Sequence, residues 1–191
     1  MDLTEAIRNR AAVVPNQDSV KAHLIHSLNG RGQPVDVEAL DALIAQMAQR
    51  IDVSALDCIL GIPEGGVVPA YAFARAVGRP VLLAARVMLK LPAITFEEPH
   101  VHANTTRALS FYGLAPGQRV MIVEDELTNG HTAVNAVRAL RAAGIVIDQV
   151  ATLLAIDHPA LWRRLEAEGL TLHAGLRLPP QYAPRQPDPA P

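Results

Sequence analysis

The chain has 191 residues, half of them apolar, with 19% charged residues and a formal net charge of −2. That length suits one domain with a sizeable core, and the near-neutral balance gives no electrostatic case for nucleic acid or an anionic membrane as partner. Aromatic residues are only 4%, too few for a base-stacking platform, and no apolar run approaches the roughly 20 residues of a membrane span.

The chain opens with Met1, Asp2, Leu3, Thr4 and Glu5, without the basic and apolar stretches of a secretory leader. Residues 1–12 read as a short helix with Ile7 on its apolar side. Pro15, Asn16, Gly30, Gly32 and Pro34 break residues 13–34 into turns. Asp36 is placed to cap a helix over 37–50, because Leu40, Leu43, Ile44 and Met47 recur at helical spacing. Residues 56–60 form a short apolar strand, 61–66 a glycine-bearing turn, and 67–77 a helix closed by Gly78. Residues 80–85 read as a second buried strand, 87–104 as irregular, and 107–112 as a further strand. A strongly apolar strand follows at 118–123, then a polar turn and a helix over 132–143 closed by Gly144. Residues 150–156 read as a strand, 160–168 as a helix and 170–174 as a last strand.

Strands alternating with helices predict an α/β protein: a parallel sheet with helices on both faces. From Pro179 onward a proline-rich tail supports neither ladder nor helix and reads as flexible. One domain is therefore expected over 1–178, and no internal repeat is visible. The single cysteine, Cys58, sits in an apolar run and cannot form an internal disulfide, which fits a small core residue in a reducing cytoplasm.

The most informative stretch is 120–132: Val120, Met121, Ile122 and Val123, the acids Glu124, Asp125 and Glu126, then Leu127, Thr128, Asn129, Gly130, His131 and Thr132. Ligands of open parallel sheets bind outside the carboxyl ends of the strands. A loop entering a helix N-terminus offers backbone N–H groups and partial positive charge. Thr128 and Thr132 add hydroxyls, and Gly130 allows close backbone approach, so the turn reads as a phosphate cradle. No Gly-Lys-Ser/Thr follows, which excludes a Walker A loop, and the dinucleotide glycine spacing is missing. Glu124 and Asp125 would repel a phosphate but suit ribose hydroxyls, held directly or through a metal. The alternative is that they cap the following helix.

This stretch resembles the signature of the type I phosphoribosyltransferases, closest to the purine (xanthine and adenine) members. The resemblance implies their fold: a Rossmann-like parallel core with a small hood, here from about residues 1–35 and the C-terminal part. It implies binding of 5-phosphoribosyl 1-diphosphate (PRPP). Glu124 and Asp125 would meet the ribose hydroxyls, and Thr128, Asn129, Gly130, His131 and Thr132 the 5-phosphate. The turn 61–66 falls where the family cups pyrophosphate, so the N–H groups of Glu64, Gly65 and Gly66 would face a diphosphate.

Residues 86–104 resemble the family's mobile catalytic loop. Lys90, Leu91 and Pro92 match the Lys-Leu-Pro of adenine-type members, and Arg86 matches a basic position that contacts diphosphate. Lys90 thus joins Glu124 and Asp125 as a catalytic candidate and Arg86 as a pyrophosphate ligand. Glu97 or Glu98 would act on a base or stand as solvated loop charges. His100 and His102 form a His-x-His pair without further metal ligands nearby, and read as solvated. Residues 20–29 resemble the hood of xanthine phosphoribosyltransferases, which makes Asn29 a base contact, or simply a turn residue before Gly30. His158 falls where relatives place a residue against the base, and is equally an ordinary strand-end residue.

The resemblance implies an enzyme that transfers phosphoribosyl from PRPP to a purine-like base nitrogen in nucleotide salvage. It also implies Mg2+ bound through PRPP, with Glu124 and Asp125 as the protein groups nearest to it, and a cytoplasmic homodimer. The alternatives are a PRPP-binding regulator on the same fold and a biosynthetic transferase for an unusual acceptor.

Overall fold

The computed structural model describes residues 3–15, 22–100 and 105–182. His102 and residues 183–191 of the proline-rich tail lie outside them. In chain order the elements are α1 (Leu3–Asn9), β1 (Ala12–Pro15), β2 (Ala22–Ile25), α2 (Val37–Ala48), β3 (Cys58–Gly61), α3 (Val67–Val77), β4 (Val81–Leu83), β5 (Ala93–His100) and β6 (Thr105–Tyr112). Then come β7 (Val120–Leu127), α4 (His131–Ala142), β8 (Gln149–Ile156), α5 (Pro159–Ala167), β9 (Thr171–Leu178) and a short 3-10 turn at Pro180–Tyr182.

Five strands form a parallel sheet in the order β4-β3-β7-β8-β9. β7 lies at its centre because it is apolar on both faces: Val120, Met121, Ile122 and Val123 are all fully buried. Burying each such side chain stabilises the fold by about 1.5–3 kcal/mol relative to exposure. Val120 and Ile122 pack into one layer with Ala133, Val134, Val137 and Leu140 of α4. Met121 and Val123 pack into the other, with Leu40, Leu43 and Met47 of α2 and Phe73 of α3. Ile7, Leu24, Leu28 and Leu178 join this second layer, which ties the N-terminal segment to the sheet. Asp36 caps α2 as expected, its Oδ1 accepting from the Ala39 N–H at 3.1 Å.

Three regions differ from the sequence reading. The strand expected to be buried over 80–85 is the edge strand β4, with Leu83 exposed. Within 13–34, β1 and β2 pair antiparallel through four register positions rather than forming turns alone; strands that short show too few alternations to stand out from their prolines and glycines. Residues 93–100 are a strand, not irregular loop, and pair with β6 over eight positions. The signal was present as period-two alternation. Ile94 and Phe96 turn inward, as do Leu109 and Phe111 across the ladder, and the Phe96 and Phe111 rings stack 5.5 Å apart.

Candidate active site

The carboxyl ends of β3 and β7 lie side by side, since Gly61 pairs with Val123 in the parallel register. Above them opens a cavity of about 320 Å³. Its walls come from four parts of the chain: residues 62–65 after β3, residues 124–133 of β7 and the start of α4, Arg86 with Glu98 and Arg107 of the β5–β6 hairpin, and Arg31.

Strand parity sends the two acids to different layers. Glu124 follows Val120 and Ile122, and its Oε2 would lie 2.7 Å from a Cβ on Gly66. Asp125 follows Met121 and Val123, and a Cβ on Gly65 would overlap its carboxylate. The turn after β3 therefore rests directly on both acids, and only glycine fits at 65 and 66. The Pro63–Glu64 peptide in this turn is cis.

The turn after β7 is built differently. Gly130 precedes α4 with φ +72°, a left-handed conformation, and brings no side chain to the cap position. The His131 N–H is taken by the Asn129 side chain, so the N–H groups open to a ligand begin at Thr132. Thr128, Asn129, His131 and Thr132 line the cavity with Gly130. The Asn129 Oδ1 accepts from the His131 N–H at 3.1 Å, and Arg164 of α5 donates to the Asn129 carbonyl.

Burial dominates the electrostatics. Glu124 is 8% exposed, and burial, reinforced by the charges of Asp125, Glu98 and Glu126, holds its proton well above the ordinary carboxylate range. Glu126 is pushed up to about 8 by burial and the Asp125 charge, with Arg31 pulling the other way. Its Oε2 has no hydrogen-bond partner. Burial lowers His26 to about 4 against the attraction of Asp125, so the fully buried ring is neutral near pH 7.

The residues nominated from sequence separate into two groups. Glu64, Gly65, Arg86, Glu124, Asp125, Thr128, Asn129, Gly130, His131 and Thr132 all line the cavity, and Gly66 lies immediately behind it against Glu124. Lys90 is exposed and is not among the lining residues. Its loop is tied down by the Tyr112 hydroxyl, which donates to the Val87 carbonyl and accepts from the Leu89 N–H, both at 2.9 Å. His158 also lies outside the lining. It is the N-cap of α5, its Nδ1 accepting from the Ala160 N–H at 3.2 Å. Asn29, expected against the base, is not among the lining residues either: its Nδ2 donates to Asp125 Oδ2 at 2.7 Å, and its Oδ1 accepts from the Arg31 N–H at 2.9 Å.

Parity on the hairpin sorts the two glutamates. Glu98 shares the inward face of Ile94 and Phe96, lines the cavity and pairs with Arg86 at 2.8 Å. Glu97 is exposed, and its carbonyl accepts from the Asn135 side chain. Arg107 stands opposite Glu98 in the ladder and also lines the cavity. Sequence reasoning missed it and Arg31. For Arg107 the signal was its alternation with Leu109 and Phe111; for Arg31 there was none.

The carboxylates suit a hard divalent cation, which takes oxygen ligands. Glu64, Glu98, Glu124, Asp125 and Glu126 line the cavity together with Arg31, Arg86 and Arg107, so acidic side chains outnumber guanidiniums there. Ligand atoms of His26, Asp125 and Glu126 come within 4.8 Å of one another. The Asn29 amide nitrogen already fills the gap between His26 and Asp125, 3.2 Å from the ring Nε2. The open carboxylate edge is therefore on the cavity side.

A parallel sheet with two glycine-bearing strand-to-helix turns and paired acids between them defines a sugar-phosphate-binding α/β protein. A family model described as phosphoribosyl transferase matches residues 17–171, and the chain belongs to the type I phosphoribosyltransferase family of enzymes. It is 32% identical over 136 residues to an orotate phosphoribosyltransferase of Methanocorpusculum labreanum, covering 71% of this chain and 70% of that protein. It is 32% identical over 118 residues to an adenine phosphoribosyltransferase of Roseiflexus, covering 61% and 68%. Among solved structures, the Giardia lamblia adenine phosphoribosyltransferase bound to 9-deazaadenine superposes with a TM-score of 0.75 at 16% identity, over 93% of this chain and 98% of that one. No helix among the described residues is long and apolar enough to cross a membrane.

Proposed function

We propose that the chain transfers the 5-phosphoribosyl group of PRPP to a ring nitrogen of a purine-like base and releases pyrophosphate. One observation carries the reading: two amide-rich turns and two acids converge on one cavity with Arg86 and Arg107 at its rim. The turn at Thr128–Thr132 would hold the 5-phosphate at the N-terminus of α4. Asp125 and Glu124 would hold the ribose hydroxyls and fix the sugar for in-line attack. The Gly65 N–H, with Arg86, would take the charge that grows on the leaving diphosphate, whereas the Gly66 N–H is held by the Ile62 carbonyl at 3.1 Å. Mg2+ would lie against Asp125 and Glu124 and supply charge neutralisation to the diphosphate and ribose oxygens.

A homodimer is the proposed assembly, supported by the exposed apolar run Val87, Met88, Leu89 and Leu91; the lone buried Cys58 is in keeping with a cytoplasmic setting. The test is pyrophosphate release from PRPP and Mg2+ with a panel of purine, pyrimidine and other heterocyclic acceptors. Turnover with a purine is expected, with loss of rate in Asp125→Asn by roughly 10²–10³-fold. Turnover only with another acceptor class would move the substrate assignment. PRPP binding without turnover across the panel would replace transfer by PRPP sensing, and full activity in Asp125→Asn would remove the ribose role.

A further inference from the structure

Three groups of the segment 26–31 converge on a single oxygen of Asp125. Asn29 Nδ2 donates to Oδ2 at 2.7 Å, inside a buried contact spanning 96 residues of sequence. The Arg31 guanidinium lies 3.7 Å from the same oxygen, and the His26 Nε2 3.9 Å from it. His26 is itself fixed: its Nδ1 lies 3.2 Å from the Leu28 N–H and its Nε2 3.2 Å from the Asn29 amide nitrogen. The Asn29 carbonyl oxygen is held by the Arg31 N–H at 2.9 Å, which fixes the amide's orientation. The glycine at 65 also closes against this carboxylate.

From this geometry we infer that Asn29, oriented by the loop 26–31, is a positioning residue that locks the Asp125 carboxylate in one rotamer, with Oδ2 committed to the protein and Oδ1 presented to the sugar. The inference rests on the ribose role proposed for Asp125. It reassigns Asn29 from the acceptor to the donor substrate. A carboxylate free to rotate would lose hydrogen bonds to the ribose in some rotamers, whereas a clamped one meets the hydroxyls without reorganising. Asn29 is 5% exposed, so its effect passes through Asp125 and not through direct contact.

The test is a double-mutant cycle on the full chain, Asn29→Ala against Asp125→Ala. It is read by calorimetric binding of PRPP with MgCl2 and by separate KM and kcat values for PRPP and acceptor. Losing a donor to a charged group predicts roughly 10–100-fold weaker PRPP binding or lower kcat in Asn29→Ala, an unchanged acceptor KM, and no further loss when Asp125 is already Ala. Asn29→Asp keeps the volume, removes the donor and sets two carboxylates together, so it is expected to lose more than Asn29→Ala; thermal melting checks that each variant folds. Losses that multiply in the double variant, or an acceptor KM that rises while PRPP binding is kept, would overturn the clamp while leaving the transfer reading intact. Failure of the unaltered protein to bind PRPP would overturn both.

Discussion

The two glycine-bearing turns stand at the ends of adjacent strands and each opens a helix, yet they need glycine for different reasons. After β3, Gly65 and Gly66 have no room: a Cβ there runs into Asp125 and Glu124. After β7, Gly130 has a backbone requirement, φ +72°, and a Cβ would come within 2.9 Å of Leu161 Cδ1 on α5. The first turn is thus welded to the acids, and strain in it passes to the chemistry. The second is braced from behind by α5, away from the acids, so strain there passes to the fold. Substitutions separate these two kinds of constraint.

The largest effect is expected from Gly65→Ala. Its methyl group displaces either the turn or the Asp125 carboxylate, and a displacement near 1 Å at reacting groups costs about 10²-fold in rate. Steady-state kinetics checks this, and a Gly65→Ala protein with ordinary kcat would break the comparison. Next, Arg107→Ala is expected to raise the KM for PRPP about tenfold by removing a cation from the diphosphate rim, with little change in melting temperature, since the side chain is exposed. Gly130→Ala should cost roughly 1–2 kcal/mol for the left-handed backbone. That lowers Tm by a few degrees in a chain of this size and moves kcat less than Gly65→Ala does. The remaining test is a pH slope. Glu126 carries its proton up to about 8 in the folded state and ordinarily near 4.5, so the folded state binds the extra proton between those values. Its contribution to stability is present below about 4.5 and is lost as pH rises through about 8. Glu126→Gln removes that loss, so Tm of the variant minus Tm of the parent should grow from pH 5 to 8.5 in thermal melts. His26, lowered to about 4, gives the opposite sign between about 6.5 and 4 in both proteins and cancels in the difference.

The legible parts of the sequence share a physical cause. A central parallel strand is buried on both faces, so 120–123 had to be continuously apolar, and the abrupt arrival of acids, threonines and glycine marked its carboxyl end, where ligands of such sheets bind. The helix over 67–77 was bounded by glycines on both sides, and α2 by Asp36. The hairpin was harder because a family likeness to a mobile loop outweighed its alternation of Ile94, Phe96 and Glu98. Arg31 and the Asn29–Asp125 contact could not be read at all: they depend on a fold bringing residues 29 and 125 together, and nothing local in either segment announces that. His158 and Lys90 show the converse case, where position in a motif did not carry the side chain into the cavity.

Arg164 reaches from α5 to the carbonyl of Asn129. In a trans peptide the C=O and the next N–H point in opposite directions. Drawing that oxygen toward α5 turns the Gly130 amide hydrogen the other way. The cavity wall includes both Asn129 and Gly130 but nothing from α5, so that other way is inward. A guanidinium outside the pocket thereby sets the polarity of the bend, so that the phosphate proposed for it would meet a donor where the other peptide orientation would have offered an acceptor.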